Sequence, residues 1–225
     1  MAELSLYEAL RTTRAVRRLR PDPIPDAVLA RVLTAFTWGP SGGNRQPWRL
    51  LVVRAPHLKV KLQRMYQELW SEYVQASRAG LPSLPERSRA RAERSLSAGD
   101  YLASHLGEVP VVVVVCFDPR GLAVTDAKLG RQSVVGGASI YPAVQNMLLA
   151  CRAEGLGCVL TTLLCTRESE VRGLLGIPEP WATAAMVPIG YPVGRGHGPT
   201  SRRPLSALAF GDRWDEPLAL ACESE

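Results

Sequence analysis

The sequence predicts a single domain that combines helices with β-strands, in an α/β or α+β arrangement. The chain has 225 residues, of which 46% are apolar and 21% charged, so it can bury one large core. Apolar residues recur at helical spacing in several segments, whereas the continuous apolar run 111–117 has the length of a buried strand. No internal repeat or linker divides residues 1–225, which we therefore treat as one domain.

In the first third of the chain, capping signals and hydrophobic spacing predict three helices and one strand. Ser5 and Glu8 form a capping box, and Asp26 is a good N-cap, so a helix should begin near each. Branched and aromatic residues predict a strand before the third helix, which Pro56 begins. The predicted elements are a helix over 6–13, a helix from 26 that stops at Gly39-Pro40, a strand over 48–54 and a helix over 56–75.

The rest of the chain alternates predicted strands and helices around one unusual segment. Residues 65–105 end in a polar, arginine-rich stretch interrupted by Pro82 and Pro85, which predicts a mobile, helical, lid-like excursion. Residues 193–225 are rich in proline and glycine and predict an extended C-terminal arm. The other predicted elements are a strand over 111–117, a helix over 139–154 that Gly155 ends, an extended stretch to 164, a short helix after Thr166 and a strand over 181–191.

The sequence argues against a disulfide-stabilised protein, a zinc protein and a membrane protein. No cysteine pair has C-x-x-C spacing and the three histidines are scattered, so we expect reduced, buried thiols and no metal site. No apolar run reaches the length of a membrane span, and the N-terminus lacks the pattern of a secretory signal, which together predict a cytoplasmic protein. The cysteines are Cys116, Cys151, Cys158, Cys165 and Cys222.

The chain carries a net charge of +6, and only three of its 27 basic residues are lysines. An arginine-rich balance suits binding of phosphate or carboxylate and would also suit nucleic acid. The run 14–20 holds four arginines just past the first helix, where guanidinium groups could cradle an anion. A solvated basic face is the commoner explanation for such a run when it is considered alone.

Two further segments could contribute to a ligand site. In the loop 40–48, two glycines allow close backbone approach, while Ser41, Asn44 and Gln46 supply donors and acceptors for the edge of a flat heteroaromatic ring. An ordinary turn explains the same residues equally well. Arg202 and Arg203 could complete a phosphate site, or could belong to a disordered basic tail. No nucleophile or acid–base motif is visible, which fits a protein whose cofactor performs the chemistry.

Taken together and in this order, these segments resemble the FMN-dependent nitroreductase family. The resemblance covers about 7–214, and five motifs in the family's order make it specific. They are RRLRPDPIP at 17–25, WGPSGGNRQPW at 38–48, GGASIYPAVQN at 136–146 with EGLG at 154–157, PIGYP at 188–192, and RRPL at 202–205.

The resemblance implies an α+β fold, with a mixed, mostly antiparallel sheet sandwiched by helices in an intertwined homodimer. Two FMN sites would lie between the subunits, and the C-terminal arm would cross the partner. Arg14, Arg17, Arg202 and Arg203 would hold the phosphate and the pyrimidine edge. Ser41, Asn44 and Gln46 would come from the other subunit or close the ring edge. The cofactor-binding residues implied by the resemblance are Thr13, Arg14, Ala15, Val16, Arg17, Ser41, Asn44, Gln46, Thr161, Thr162, Leu163, Leu164, Arg202 and Arg203.

One departure from the family pattern lies in the first basic segment. The family usually has two basic residues followed by a small polar one, whereas here Thr13 precedes Arg14 and Ala15 follows it. Each missing group would weaken flavin binding by about 1–3 kcal/mol if nothing replaced it. Arg18 or Arg20 could compensate.

The resemblance also implies the reaction. NADH or NADPH would reduce FMN at N5, and a small electron-poor acceptor such as a nitroaromatic or quinone would then be reduced in the same cleft, in a ping-pong cycle. Alternatives within the fold are dehalogenation, ring desaturation and flavin fragmentation; a deazaflavin partner is also conceivable. The dehalogenating branch uses a Glu, a Tyr and a Lys of the lid, and no lysine occurs between Lys61 and Lys128. A basic polyanion-binding module is the non-enzymatic alternative, although the chain lacks aromatics interleaved with its arginines.

Overall fold

The computed structural model of the chain describes residues 4–220. The described chain forms a four-stranded sheet with helices on both faces. Its helices are α1 (Leu6–Thr12), α2 (Asp26–Thr37), α3 (Pro56–Tyr73), α4 (Gln75–Ala79), α5 (Glu86–His105), α6 (Tyr141–Ala153) and α7 (Glu168–Leu175). Its strands are β1 (Trp48–Val53), β2 (Val111–Phe117), β3 (Gly157–Cys158) and β4 (Ala182–Gly190).

The strands lie in the order β1-β2-β4-β3, and each neighbouring pair is antiparallel. Trp48 pairs with Phe117 at one end of the β1–β2 ladder, and Val53 pairs with Val112 at the other. The register between β2 and β4 shifts at Val115/Cys116, where a β-bulge lies. The expected α+β fold, an antiparallel sheet between helices, is confirmed.

The valine-rich strand β2 lies at the centre because both of its faces are covered. Val111, Val113 and Val115 pack with α2 and α6 in one core, whereas Val112 and Val114 pack with α3 and α5 in the other. Since side chains alternate across a strand, a continuous apolar run is what a strand between two helical layers requires.

The structure confirms most of the predicted elements and moves several boundaries. β2 has the predicted bounds, and the other strands and helices begin or end within a few residues of theirs. Asp26 is the first helical residue rather than the N-cap, a position that Pro25 occupies. The third helix ends at Tyr73, and a separate short helix, α4, follows it. The sixth helix begins at Tyr141 because a 3₁₀ turn precedes it.

Two segments differ more from the sequence expectation. The extended stretch predicted to reach residue 164 ends earlier, since Leu163–Arg167 form a 3₁₀ helix. The arginine-rich half of the lid-like segment is one 20-residue helix, α5, which begins directly after Pro85. Its C-terminal half is anchored in the core: Leu102 is buried, and Asp100 accepts a hydrogen bond of 2.8 Å from Trp70.

The expectation of buried thiols is confirmed for Cys116, Cys151 and Cys158, whereas Cys165 is half-buried. Burial raises the pKa of the Cys116 thiol to about 11. Cys222 lies outside the described residues. Among residues 4–220, no helix has the length and apolar character needed to cross a bilayer.

Candidate active site

A basic cavity of about 800 Å³, here called the arginine cavity, opens between the loop after α1, helix α5 and the segment after β4. Ala15 and Val16 contribute to its wall beside the arginines. Its eight lining arginines are Arg14, Arg17, Arg18, Arg87, Arg91, Arg94, Arg195 and Arg202.

The loop after α1 is fixed by two buried apolar residues. Val16 and Leu19 are buried, and the Val16 N–H donates to the Cys158 carbonyl at 2.9 Å. A side chain at Gly157 would place its Cβ 2.7 Å from Val16, so the absence of one there permits this close contact. With the two apolar side chains held in the core, the intervening Arg17 and Arg18 are left at the cavity wall.

The first arginine of the loop is tied to the C-terminal segment. Arg14 Nε donates to the Gly196 carbonyl at 2.8 Å, across 182 residues of sequence. This bond leaves the terminal nitrogens of the guanidinium group available to a ligand, because only Nε is used. Arg202, farther along the same segment, completes this side of the wall.

Helix α5 is joined to the same loop through Arg18. The Arg18 guanidinium lies 4.7 Å from the ring centroid of Tyr101, and its Nη2 donates to Ser97 Oγ at 3.1 Å. Both partners belong to α5. Loop and helix are therefore in direct contact, which holds the two basic walls of the cavity beside each other.

The charge of the arginine cavity is uncompensated within the described chain. None of its lining residues is acidic, and none of its eight arginines forms an ion pair within residues 4–220. Arginines elsewhere do have partners: Arg31 binds Glu154 through two hydrogen bonds of 2.7 Å. A concave site lined with one sign of charge concentrates ions of the opposite sign. The cavity is thus built to attract an anion.

The polar loop before β1 brings its three predicted residues together. The Gln46 N–H donates to Ser41 Oγ at 3.0 Å, and Gln46 Nε2 donates to Asn44 Oδ1 at 3.2 Å. Asn44 and Gln46 both have positive φ, of 53° and 49°. Non-glycine residues rarely adopt this conformation, and such outliers concentrate at functional sites. The loop is exposed and does not line the arginine cavity of its own chain.

The stretch 161–164 lies deeper in the molecule. Thr161 is 9% exposed, and its backbone exchanges two hydrogen bonds with Met186 of β4. Thr162 is exposed, whereas Leu164 is buried. Burial raises the pKa of Tyr66, and the nearby Thr161 side chain and the Arg17 charge oppose that rise.

The structure therefore brings together only part of the predicted site within one chain. Arg14, Ala15, Val16, Arg17 and Arg202 line the arginine cavity. The Thr13 hydroxyl instead donates to the Ala9 carbonyl at 2.7 Å, at the end of α1. The other predicted residues that do not line the cavity are Ser41, Asn44, Gln46, Thr161, Thr162, Leu163, Leu164 and Arg203.

Sequence reasoning missed four of the cavity's arginines. Arg87, Arg91 and Arg94 come from α5, and Arg195 comes from the loop after β4. Arg91 follows Arg87 by four residues, and Arg94 follows Arg91 by three. This spacing was a usable signal, because it places the three residues on one helix face. Of the two arginines that could replace the family's basic residue at Thr13, Arg18 lines the cavity. Arg20 does not line it, and its Nε lies 3.6 Å from the Asp22 carboxylate.

His197 is a buried histidine close to the arginine cavity, next to the lining residue Gly196. It is 6% exposed, its Nε2 lies 2.8 Å from the Leu156 carbonyl, and its Nδ1 has no partner among the described residues. Burial lowers the pKa of His197, and the charges of Arg152 and Arg14 lower it further. The folded chain thus resists protonation that the unfolded chain accepts below about pH 6.5.

We therefore expect the free energy of unfolding to fall as the pH is lowered from 7.5 to 5.5, and His197→Gln to reduce that fall. Urea unfolding of both proteins at the two pH values measures the effect. His57→Gln, at an exposed position, is the matched control. An equal fall in the parent protein and in His197→Gln would show that another group causes the acid sensitivity.

Sequence comparison matches the model described as "Nitroreductase family" to residues 10–191. The chain belongs to the nitroreductase family. The match includes the loop after α1, the polar loop before β1 and all of β4. It ends before Arg195 and Arg202, so the last part of the cavity wall lies beyond it.

Named relatives of this nitroreductase-family chain have different activities. It is 32% identical to an NADH dehydrogenase of Thermus thermophilus, over 88% of this chain and 91% of that protein. It is also 32% identical to a 5,6-dimethylbenzimidazole synthase of Rhodobacter capsulatus, over 84% of each chain. An iodotyrosine deiodinase crystallised with FMN and 3-iodo-L-tyrosine has the same fold, with a TM-score of 0.66 at 22% identity over 93% of this chain and 100% of that one.

Proposed function

We propose that the chain is an FMN-dependent oxidoreductase that uses NADH or NADPH to reduce small electron-poor acceptors such as nitroaromatics and quinones. The observation that carries the proposal is the arginine cavity, with eight arginines and no lining carboxylate. Both segments that the family resemblance assigned to the cofactor phosphate, at 14–17 and 202–203, contribute to it through Arg14, Arg17 and Arg202, from opposite ends of the sequence. Membership of the nitroreductase family supports the same reaction class.

The residues present fit the phosphate end of FMN. A cavity of about 800 Å³ lies within the range typical of cofactor sites, and arginine forks match phosphate oxygens. Arg14, Arg17 and Arg202 would hold the phosphate, and Arg18 would replace the basic residue that the family has near Thr13. When bound, the flavin supplies hydride transfer through N5.

The ring of the cofactor would need residues from two chains. Ser41, Asn44 and Gln46 form one exposed, hydrogen-bonded loop outside the cavity of their own chain, which fits a contribution to the partner's site. The stretch 161–164 would lie beside the ring and offer backbone N–H groups to it. Both assignments rest on the family resemblance together with this placement.

A homodimer is part of the proposal. The C-terminal arm exposes large apolar side chains: Leu205 is 59% exposed, Leu208 58% and Trp214 82%. Exposed apolar residues concentrated in one segment are typical of a surface that another chain covers. We infer that the arm, 193–225, crosses the partner and that the segment 65–105 acts as the lid of the site.

The chain's own contribution to the reaction would be binding, orientation and electrostatics. Backbone donors, and any arginine that reaches the pyrimidine edge, would stabilise the negative charge that develops on the flavin ring during reduction. Arg18, held on Tyr101, would fix the position of the lid helix relative to the cofactor loop.

Two alternatives are less well supported. In dehalogenation the lid would supply Glu68, Glu72 and Tyr73, but Glu68 is paired with Arg167 at 2.6 Å and the segment has no lysine. A polyanion-binding module would present its arginines on an open face, whereas eight of them line one cavity. Flavin fragmentation, another reaction that the resemblance implies for this fold, is the second candidate function, and a 5,6-dimethylbenzimidazole synthase is among the relatives that the chain matches.

The visible spectrum of the purified protein, followed by anaerobic addition of NADH and NADPH in turn, tests the proposal. We expect flavin bands that bleach with a nucleotide and return when a nitroaromatic or quinone is added. Bands that persist with both nucleotides would favour flavin fragmentation or desaturation. A protein that stays colourless after incubation with FMN, and binds DNA with steep salt dependence, would favour the polyanion module.

A further inference from the structure

We propose that Arg87, Arg91 and Arg94 of helix α5 bind the anionic group of a second ligand, while the loop after α1 and the segment after β4 hold the cofactor phosphate. The inference rests on the proposed function, because the cofactor is taken to occupy Arg14, Arg17 and Arg202. It assigns a substrate class: the reaction of this chain favours a donor with an additional phosphate, or an acceptor with a carboxylate, over the counterpart that lacks that group.

The first support is the number and arrangement of the charges. One cofactor phosphate carries about two negative charges, and the three arginines assigned to it already provide three positive ones. The α5 arginines add three more from a separate wall. Three residues at spacing i, i+4 and i+7 lie on one helix face, so their guanidinium groups can converge on one ligand group.

The second support is that α5 gains no stability from having three arginines on one face. Like charges four residues apart destabilise a helix by a few tenths of a kcal/mol per pair. The same helix pairs Arg89 with Glu93 away from the cavity, and neither Glu86 nor Glu93 lines the cavity. The acidic residues of α5 are thus absent from the face where the three arginines repel each other. A bound anion would relieve that repulsion.

The third support is the rigid attachment of the helix. Asp100 binds both Trp70 and Arg78, at 2.8 and 2.6 Å, and Arg18 binds Ser97. A Cβ at Gly99 would lie 2.0 Å from the Trp70 ring, so α5 and α3 are in close contact there. The C-terminal half of α5 is therefore held against the fold, and the three arginines extend from the N-terminal half of the same helix at the cavity wall.

Two sources of the anionic group share this chemistry: the 2′-phosphate of NADPH and a carboxylate on the acceptor. Titration calorimetry of the FMN-loaded protein separates them with two matched pairs. NADP⁺ is compared with NAD⁺, and 4-nitrobenzoate is compared with 4-nitrobenzyl alcohol. In at least one pair, we expect the member with the additional phosphate or carboxylate to bind about tenfold more tightly, as a charge-assisted hydrogen bond provides.

The double substitution Arg91→Gln with Arg94→Gln should abolish that preference, while Arg89→Gln, on the same helix but outside the cavity, should retain it. If the double variant loses the preference for NADP⁺, the ligand group is the 2′-phosphate of the donor. If it loses the preference for 4-nitrobenzoate, the ligand group is the carboxylate of the acceptor. Equal binding within both pairs, or a preference that survives the double substitution, would overturn the inference. The FMN absorbance of each variant is recorded in parallel: failure of the proposed function appears as absent flavin, whereas failure of this inference appears with the flavin bound.

Discussion

Replacing Arg14 and Arg17 together with glutamine should weaken FMN binding about a hundredfold. A hydrogen bond to a charged group contributes about 1.5 kcal/mol or more, which is about a tenfold change in the dissociation constant for each residue. Arg14 would also lose its bond from Nε to the Gly196 carbonyl, which connects the two ends of the cavity wall. Quenching of FMN fluorescence by the flavin-free protein measures the affinity directly.

Arg11→Gln is the matched control for that experiment. Arg11 lies three residues before Arg14 and has the same charge, but it is paired with Glu8 at 2.7 Å and does not line the cavity. We expect its FMN affinity to stay within about twofold of the parent protein, since an exposed ion pair contributes little. Equal losses in Arg11→Gln and in the double variant would mean that net charge alone attracts the flavin.

The fold could be predicted where local signals and long-range packing demand the same structure. The strand 111–117 had the correct bounds because a run of valines can only be buried on both faces, and the sheet provides helices on both. The sequence predicts an extended stretch that includes Leu163 and Leu164. They lie instead in a 3₁₀ turn that leads into α7, a choice that the packing of Leu164 against the second core determines.

The site was predictable in its parts but not in its assembly. Arg14, Arg17 and Arg202 could be selected from motifs. The hydrogen bond that ties Arg14 to the segment carrying Arg202 could not, because its acceptor is the backbone carbonyl of Gly196. Arg87, Arg91 and Arg94 were visible as a charged helix face. A solvated face has the same spacing, so only the position of α5 over the cavity distinguishes a ligand site from an ordinary surface.

The substitution Gly39→Ala should lower the free energy of unfolding by about 1–3 kcal/mol, the usual cost of overpacking. A Cβ at Gly39 would lie 2.3 Å from the backbone Cα of Ala143 in α6, so a side-chain rotation cannot relieve the clash. Helices α2 and α6 would have to separate, and with them the core that contains Phe36 and Met147. Thermal or urea unfolding monitored by circular dichroism measures the loss.

The same substitution at Gly173 should raise the free energy of unfolding. Gly173 is an exposed position inside α7, and a Cβ there would meet no atom within 4 Å. Alanine in a helix interior is favoured over glycine by about 0.5–1 kcal/mol, so Gly173→Ala should stabilise the fold. If both variants changed stability in the same direction, the close packing of α2 on α6 would not be the cause.

Because Gly39 lies just before the polar loop 41–46, Gly39→Ala should also displace Ser41 and Asn44. Its FMN affinity should then fall while that of Gly173→Ala is unchanged, which would connect the packing of two helices to the ring-binding loop.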